Sequence, residues 1–108
     1  GMDVVEKNSE EKLKQKIEAI ERKRQEVRQY YLQKLRDLKT KRDNLFVKHM
    51  RDPRGTSNSS LNNYMKRNEK IGKEINKVRE EMNKRMVDFE IEKESLMNNQ
   101  KEDRMKNI

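Results

Sequence analysis

Apolar residues recur along this 108-residue chain in steps of three and four, the spacing that lines one face of a helix. In the first half the line reads Leu13, Ile17, Ile20, Arg24, Val27, Tyr31, Leu35, Leu38, Arg42, Leu45 and His49. In the second half it reads Leu61, Tyr64, Asn68, Ile71, Ile75, Val78, Met82, Met86, Phe89, Lys93 and Leu96. Most steps alternate as in heptads. Each line, however, takes two fours in succession, from Val27 through Tyr31 to Leu35 and from Val78 through Met82 to Met86. Such an insertion is a stutter, which locally relaxes left-handed supercoiling. The pattern predicts an all-α chain of two long, coiled-coil-type helices.

Helix breakers cluster in one place, Asp52-Pro53-Arg54-Gly55-Thr56-Ser57-Asn58-Ser59-Ser60. Proline disfavours helix at the residue before it, so an incoming helix should stop near Arg51. Ser59 or Ser60 can cap a second helix, as Asn8 or Ser9 can cap the first, where Glu10 and Glu11 also suit the helix dipole. The expected organisation is a disordered tail over 1–8, a first helix over 9–51, a turn over 52–59 and a second helix over 60–105. Gly1 before Met2 reads as the remnant of a cleaved tag. One continuous rod would have to carry Pro53 through its interior, at about 3 kcal/mol. The favoured architecture is therefore a long antiparallel two-helix hairpin.

Folding the chain about Gly55 places residue n opposite roughly residue 110 minus n, and the two stutters then lie side by side. Leu38 should meet Ile71, Leu35 should meet Ile75, Ile20 should meet Phe89, and Leu13 should meet Leu96. The acidic run Asp88, Glu90, Glu92, Glu94 should lie opposite Lys16, Arg22 and Lys23. Asn68 at a seam position suggests a buried amide that fixes register or oligomer state by pairing across the seam. Gly72 suggests either a close helix approach or a merely tolerated exposed glycine.

Apolar residues also fall off the two lines: Tyr30, Phe46, Val47 and Met50 in the first helix, Met65, Val87, Ile91 and Met97 in the second. A second contact stripe is implied. The economical occupant is another copy of the chain, giving a homodimer with a four-helix arrangement. A different helical protein, or chain beyond these residues, could cover the same stripe. The candidate partner surface is Tyr30, Phe46, Val47, Met50, Val87 and Ile91.

Composition sharpens this picture. Only 30% of residues are hydrophobic and 44% are charged, against about 45–50% and about 25% in a compact globular domain. A conventional core is excluded, and a chain with one proline and three glycines is too rich in helix formers to read as disordered. No cysteine is present, so no cysteine nucleophile, thiolate metal site or disulfide is possible. No apolar run approaches the length of a membrane span. An intracellular protein, cytoplasmic or nuclear, is expected.

Catalysis needs polar side chains that converge in one concave site. His49 is the sole histidine, which rules out histidine-rich zinc sites and the usual triads. Gly55 and Gly72 are isolated and form no phosphate-cradling loop. No enzyme activity, cofactor, metal site or small-molecule substrate is expected. Of the seven methionines, Met82 and Met86 lie on the seam and read as gap-fillers of a helix–helix core, and Tyr31 reads as packing rather than as a base-stacking platform.

Charge opens one alternative. The chain carries a net +8, and residues 11–50 alone hold 13 Lys/Arg against 6 Asp/Glu. Lysine and arginine neutralise phosphates, which makes Arg22, Lys23, Arg28, Arg36, Lys39 and Lys41 candidate phosphate contacts. The leading expectation is a structural or protein-interaction module that oligomerises, spaces or docks. The second is an accessory nucleic-acid-binding protein that uses its basic first helix.

Overall fold

The computed structural model describes residues 2–106, with side chains described over 8–101. Two helices, α1 (Met2–Arg51) and α2 (Asn58–Lys106), form a helical hairpin. The expected all-α hairpin is the fold observed. Each helix runs unbroken because its interior contains only residues a helix accepts. The single internal glycine, Gly72, has open space around it, so it is a tolerated residue and not a close-approach point.

The ends of the helices differ from the sequence expectation. Helix α1 begins at Met2, not at Ser9. No proline or glycine lies between Met2 and Ser9 to stop it, and Asn8 and Ser9 are carried inside the helix. Gly1 lies outside the described residues. Helix α2 starts at Asn58, and its cap is Ser57 rather than Ser59 or Ser60. The Ser57 Oγ accepts the Ser60 N–H at 3.2 Å, and the Ser57 carbonyl accepts the Leu61 N–H at 3.0 Å. Four consecutive polar residues can each cap a helix, and the turn geometry selects the first of them.

That turn is built from short-range bonds. Asp52 opens a β-turn whose second position is Pro53, with φ preset by its ring, and Gly55 donates back to the Asp52 carbonyl at 2.9 Å. The Asp52 Oδ1 also accepts the Arg54 N–H at 2.9 Å, a local bond that aspartate favours at such positions. A further turn follows, with the Ser57 N–H on the Arg54 carbonyl at 3.0 Å. Gly55 is required for space. A Cβ there would lie 2.8 Å from the His49 carbonyl oxygen and 3.1 Å from that of Asp52. Lys48, His49 and Arg51 in the last turn of α1 complement its negative dipole end.

Contacts divide the hairpin into two units. The unit Gln29–Met82 contains the turn and a buried cluster of Leu35, Ile71 and Ile75. Leu32, Leu38, Leu45, Val78 and Met82 pack against that cluster. Leu32 was not anticipated from the pattern. His49 stacks on Tyr64 at 4.3 Å between ring centroids and 14° between planes. In the other unit, whose α1 part ends at Arg28 and whose α2 part begins at Asn83, Phe89 is the buried residue among those described. Leu13, Ile17, Ile20, Val27, Met86 and Leu96 are half-buried there. The unit boundaries, after Arg28 and after Met82, fall inside the two stutters.

The register is shifted by about one helical turn from folding about Gly55. Arg24 faces Glu90, and Glu21 faces Lys93, which corresponds to residue n opposite roughly residue 114 minus n. The stack of His49 on Tyr64 gives nearly the same offset within the turn-containing unit. Ion pairs therefore do not join the acidic run to Lys16, Arg22 or Lys23. The cause is the turn: its successive bonds from Asp52 to Ser57 carry the chain onward before it reverses, and α2 starts late relative to α1. Leu61, predicted for the seam, is left 42% exposed beyond the end of α1. Arg42 is likewise exposed.

Candidate functional site

Side chains at the turn-containing unit sort onto two flanks of the seam. In an antiparallel pair, the positions just before the seam residues of both helices share one flank, and those just after them share the other. Lys41, Asn44 and Lys48 of α1 and Arg67, Lys70 and Glu74 of α2 all take the preceding positions. They line one groove of about 410 Å³ with the seam residues Leu45 and Ile71 at its floor. Four cations thus converge with a single carboxylate. None of Lys41, Lys48, Arg67 or Lys70 makes an ion pair.

The other flank is apolar. Phe46 and Met65 follow the seam residues Leu45 and Tyr64, and they are 50% and 56% exposed. Met50 and Leu61, four residues away on their respective helices, extend the same surface and are exposed too. Val47 faces away from the seam, where it lines a shallower hollow with Asn44, Lys48, Arg51 and Asp52. In the unit containing Phe89, Val87 and Ile91 form an exposed pair four residues apart on α2, and Met97 is exposed nearby in sequence.

Tyr30 projects outward and meets Tyr31 edge-on at 5.4 Å between ring centroids. The Lys34 ammonium sits 4.7 Å from the Tyr30 ring centroid. Its hydrogen bond with Tyr30 raises the Lys34 pKa above the ordinary 10.5, against desolvation; the charges of Tyr30, Glu81 and Tyr31 add to the rise. Lys34 stays an ammonium throughout the neutral range.

In the unit containing Phe89 two seam cations meet carboxylates that follow seam residues. Glu21 and Lys93 approach to 3.3 Å, and Arg24 and Glu90 to 3.7 Å. The Arg24 Nε is buried and lacks a hydrogen-bond partner, since 3.7 Å exceeds hydrogen-bond reach. The Arg85 guanidinium lies 5.5 Å from the Phe89 ring centroid, which covers the one buried ring of this unit with a cation.

Of the seam residues predicted from the pattern, Leu35, Ile71, Ile75 and Phe89 are buried, and the rest apart from Leu61 and Arg42 are half-buried. Asn68 is half-buried, and its amide makes no hydrogen bond across the seam, unlike the pairing expected of it. The predicted partner-surface residues Tyr30, Phe46, Val47, Met50, Val87 and Ile91 are all exposed. The predicted phosphate contacts Arg22, Lys23, Arg28, Arg36, Lys39 and Lys41 are exposed as well, but only Lys41 lines the cationic groove. Lys48, Arg67 and Lys70 were not singled out, because their convergence depends on the register and on both helices.

Among the described residues no group of three or more metal-capable side chains comes together, and no helix is long and apolar enough to cross a membrane. Comparison with protein-family models, with curated proteins and with solved structures finds no match to this chain.

Proposed function

We propose that this chain is a non-enzymatic helical-hairpin interaction module whose first partner is a second copy of itself, the four helices then sharing an interface. The balance of apolar burial carries this reading. Among the described residues the hairpin buries four large hydrophobic side chains and leaves nine exposed. The exposed ones are not scattered singly: Phe46 with Met50, Leu61 with Met65, and Val87 with Ile91 are each spaced four apart, so each pair forms a strip on its helix. Contiguous exposed apolar surface marks interaction sites. Covering it stabilises an assembly by roughly 25 cal/mol per Å². A second copy is the economical partner because it brings the same uncovered strips.

Sedimentation equilibrium of the full chain tests the reading. The expected mass is that of a dimer of the 13.2 kDa chain. The double substitutions Phe46→Glu/Met50→Glu and Val87→Glu/Ile91→Glu should each weaken it while helicity is retained. A wild-type monomer at high concentration overturns self-association.

A further inference from the structure

We propose that the groove between α1 and α2 near the turn is a binding site for a ligand carrying several closely spaced phosphate groups, a phosphodiester strand or a free oligophosphate. The inference is independent of self-association. It starts from the signs of the charges. Positions flanking a coiled-coil seam ordinarily pair opposite charges across it, which sets partner and register. In the unit containing Phe89 opposite charges do meet: Glu21 and Glu90, each just after a seam residue, pair with the seam cations Lys93 and Arg24.

In the groove cations outnumber carboxylates four to one. With residue n opposite roughly 114 minus n, Lys48 comes level with Arg67, Lys70 with the neutral Asn44, and only Lys41 with a carboxylate, Glu74. Like charges brought together across a seam destabilise it. The hairpin retains this arrangement at its best-packed part, where Leu45 and Ile71 form the groove floor. A bound anion removes the repulsion and bridges the two helices.

The chemistry of the cations points to phosphate. Arg67 presents a planar fork that matches a phosphate bidentately, and the lysines act as mobile point charges beside it. The density of charge matters too: three or four cations in a groove of about 410 Å³ suit an anion with one charge every few ångströms. An acidic peptide carries its carboxylates on longer, more dispersed side chains. The apolar floor leaves room for the non-phosphate part of a nucleotide.

The test uses the full-length chain, a fluorescent single-stranded oligonucleotide and tripolyphosphate at about 50 mM salt, where the electrostatic contribution is large. The groove variant Lys48→Gln/Arg67→Gln/Lys70→Gln is compared with Lys12→Gln/Lys14→Gln/Lys16→Gln, which removes the same charge from the exposed surface of α1 elsewhere. The groove variant should bind about tenfold more weakly or worse, and the slope of log affinity against log salt should fall by about 2. The control should stay within about twofold of wild type. Tripolyphosphate should raise the melting temperature of the wild type and not that of the groove variant. If tripolyphosphate displaces the oligonucleotide, the site reads phosphate alone; if it does not, the site reads the strand. Equal losses in the two variants, equal binding of poly-glutamate, or no binding at this salt overturns the proposal.

Discussion

In the unit Gln29–Met82, Leu35, Ile71 and Ile75 meet in a buried cluster that five further apolar side chains pack against. In the unit that holds residues up to Arg28 and from Asn83 onward, Phe89 is the buried side chain among the described residues, and Arg24–Glu90 and Glu21–Lys93 join the two helices. The charges follow the apolar contacts inversely. Cations crowd one flank beside the cluster of Leu35, Ile71 and Ile75, whereas among the described residues around Phe89 carboxylates meet the seam cations Arg24 and Lys93. Magnitudes explain why this division is tolerable. Burying one large aliphatic side chain stabilises by about 1.5–3 kcal/mol, whereas an exposed ion pair contributes about 0.2–1 kcal/mol. A dense seam can absorb several unfavourable charge contacts. A sparse one gains from every favourable one.

The contrast is broken most directly at Ile75, the least exposed of the described residues at 3%. Ile75→Ala should cost about 2–5 kcal/mol, read from urea unfolding followed by circular dichroism. A loss below about 1 kcal/mol would mean that the cluster repacks and that density does not distinguish the units.

A smaller and opposite pair of effects is expected at two glycines. Gly55→Ala places a methyl group 2.8 Å from a carbonyl oxygen and should destabilise by about 1–3 kcal/mol. Gly72→Ala, with open space around it, should stabilise by about 0.5–1 kcal/mol through helix propensity. Thermal melts of the two variants should move in opposite directions, and a shared direction would refute the assignment of Gly55 to the close approach.

The smallest effects belong to the ion pairs. Glu21→Gln and Glu90→Gln should each cost about 0.2–1 kcal/mol, decreasing as salt is raised. Double-mutant cycles with Lys93 and Arg24 isolate the coupling. Coupling near zero at low salt would remove electrostatics from what holds the second unit.

The hairpin itself was legible because its two signals are strong: a period of three and four sustained over ten or so positions in each half, and one cluster of breakers between them. Register was not. Sliding one helix past the other by a full turn keeps Leu38, Ile71, Ile75 and their neighbours in the seam, so the apolar pattern is equally satisfied by both alignments. Only the turn decides between them, through bonds such as Gly55 to Asp52 and Ser57 to Arg54 that the residue types permit without dictating. Missing the offset also hid the groove. Lys41 could be suspected from α1 alone, but Lys48 and Arg67 become neighbours only once the offset is known.

Every hydrogen bond that reverses the chain joins residues no more than four apart in sequence, all of them between His49 and Leu61. The clasp thus forms without help from distant contacts, and it has the shortest loop to close. Zippering outward from the bend closes only a short additional loop at each step, whereas contacts made first near the termini would close a loop of nearly the whole chain, so assembly should start at the bend and melting at the ends. Trimming by proteases should accordingly shorten both arms before it touches the bend, which makes the bend the natural place to look for a minimal folding fragment.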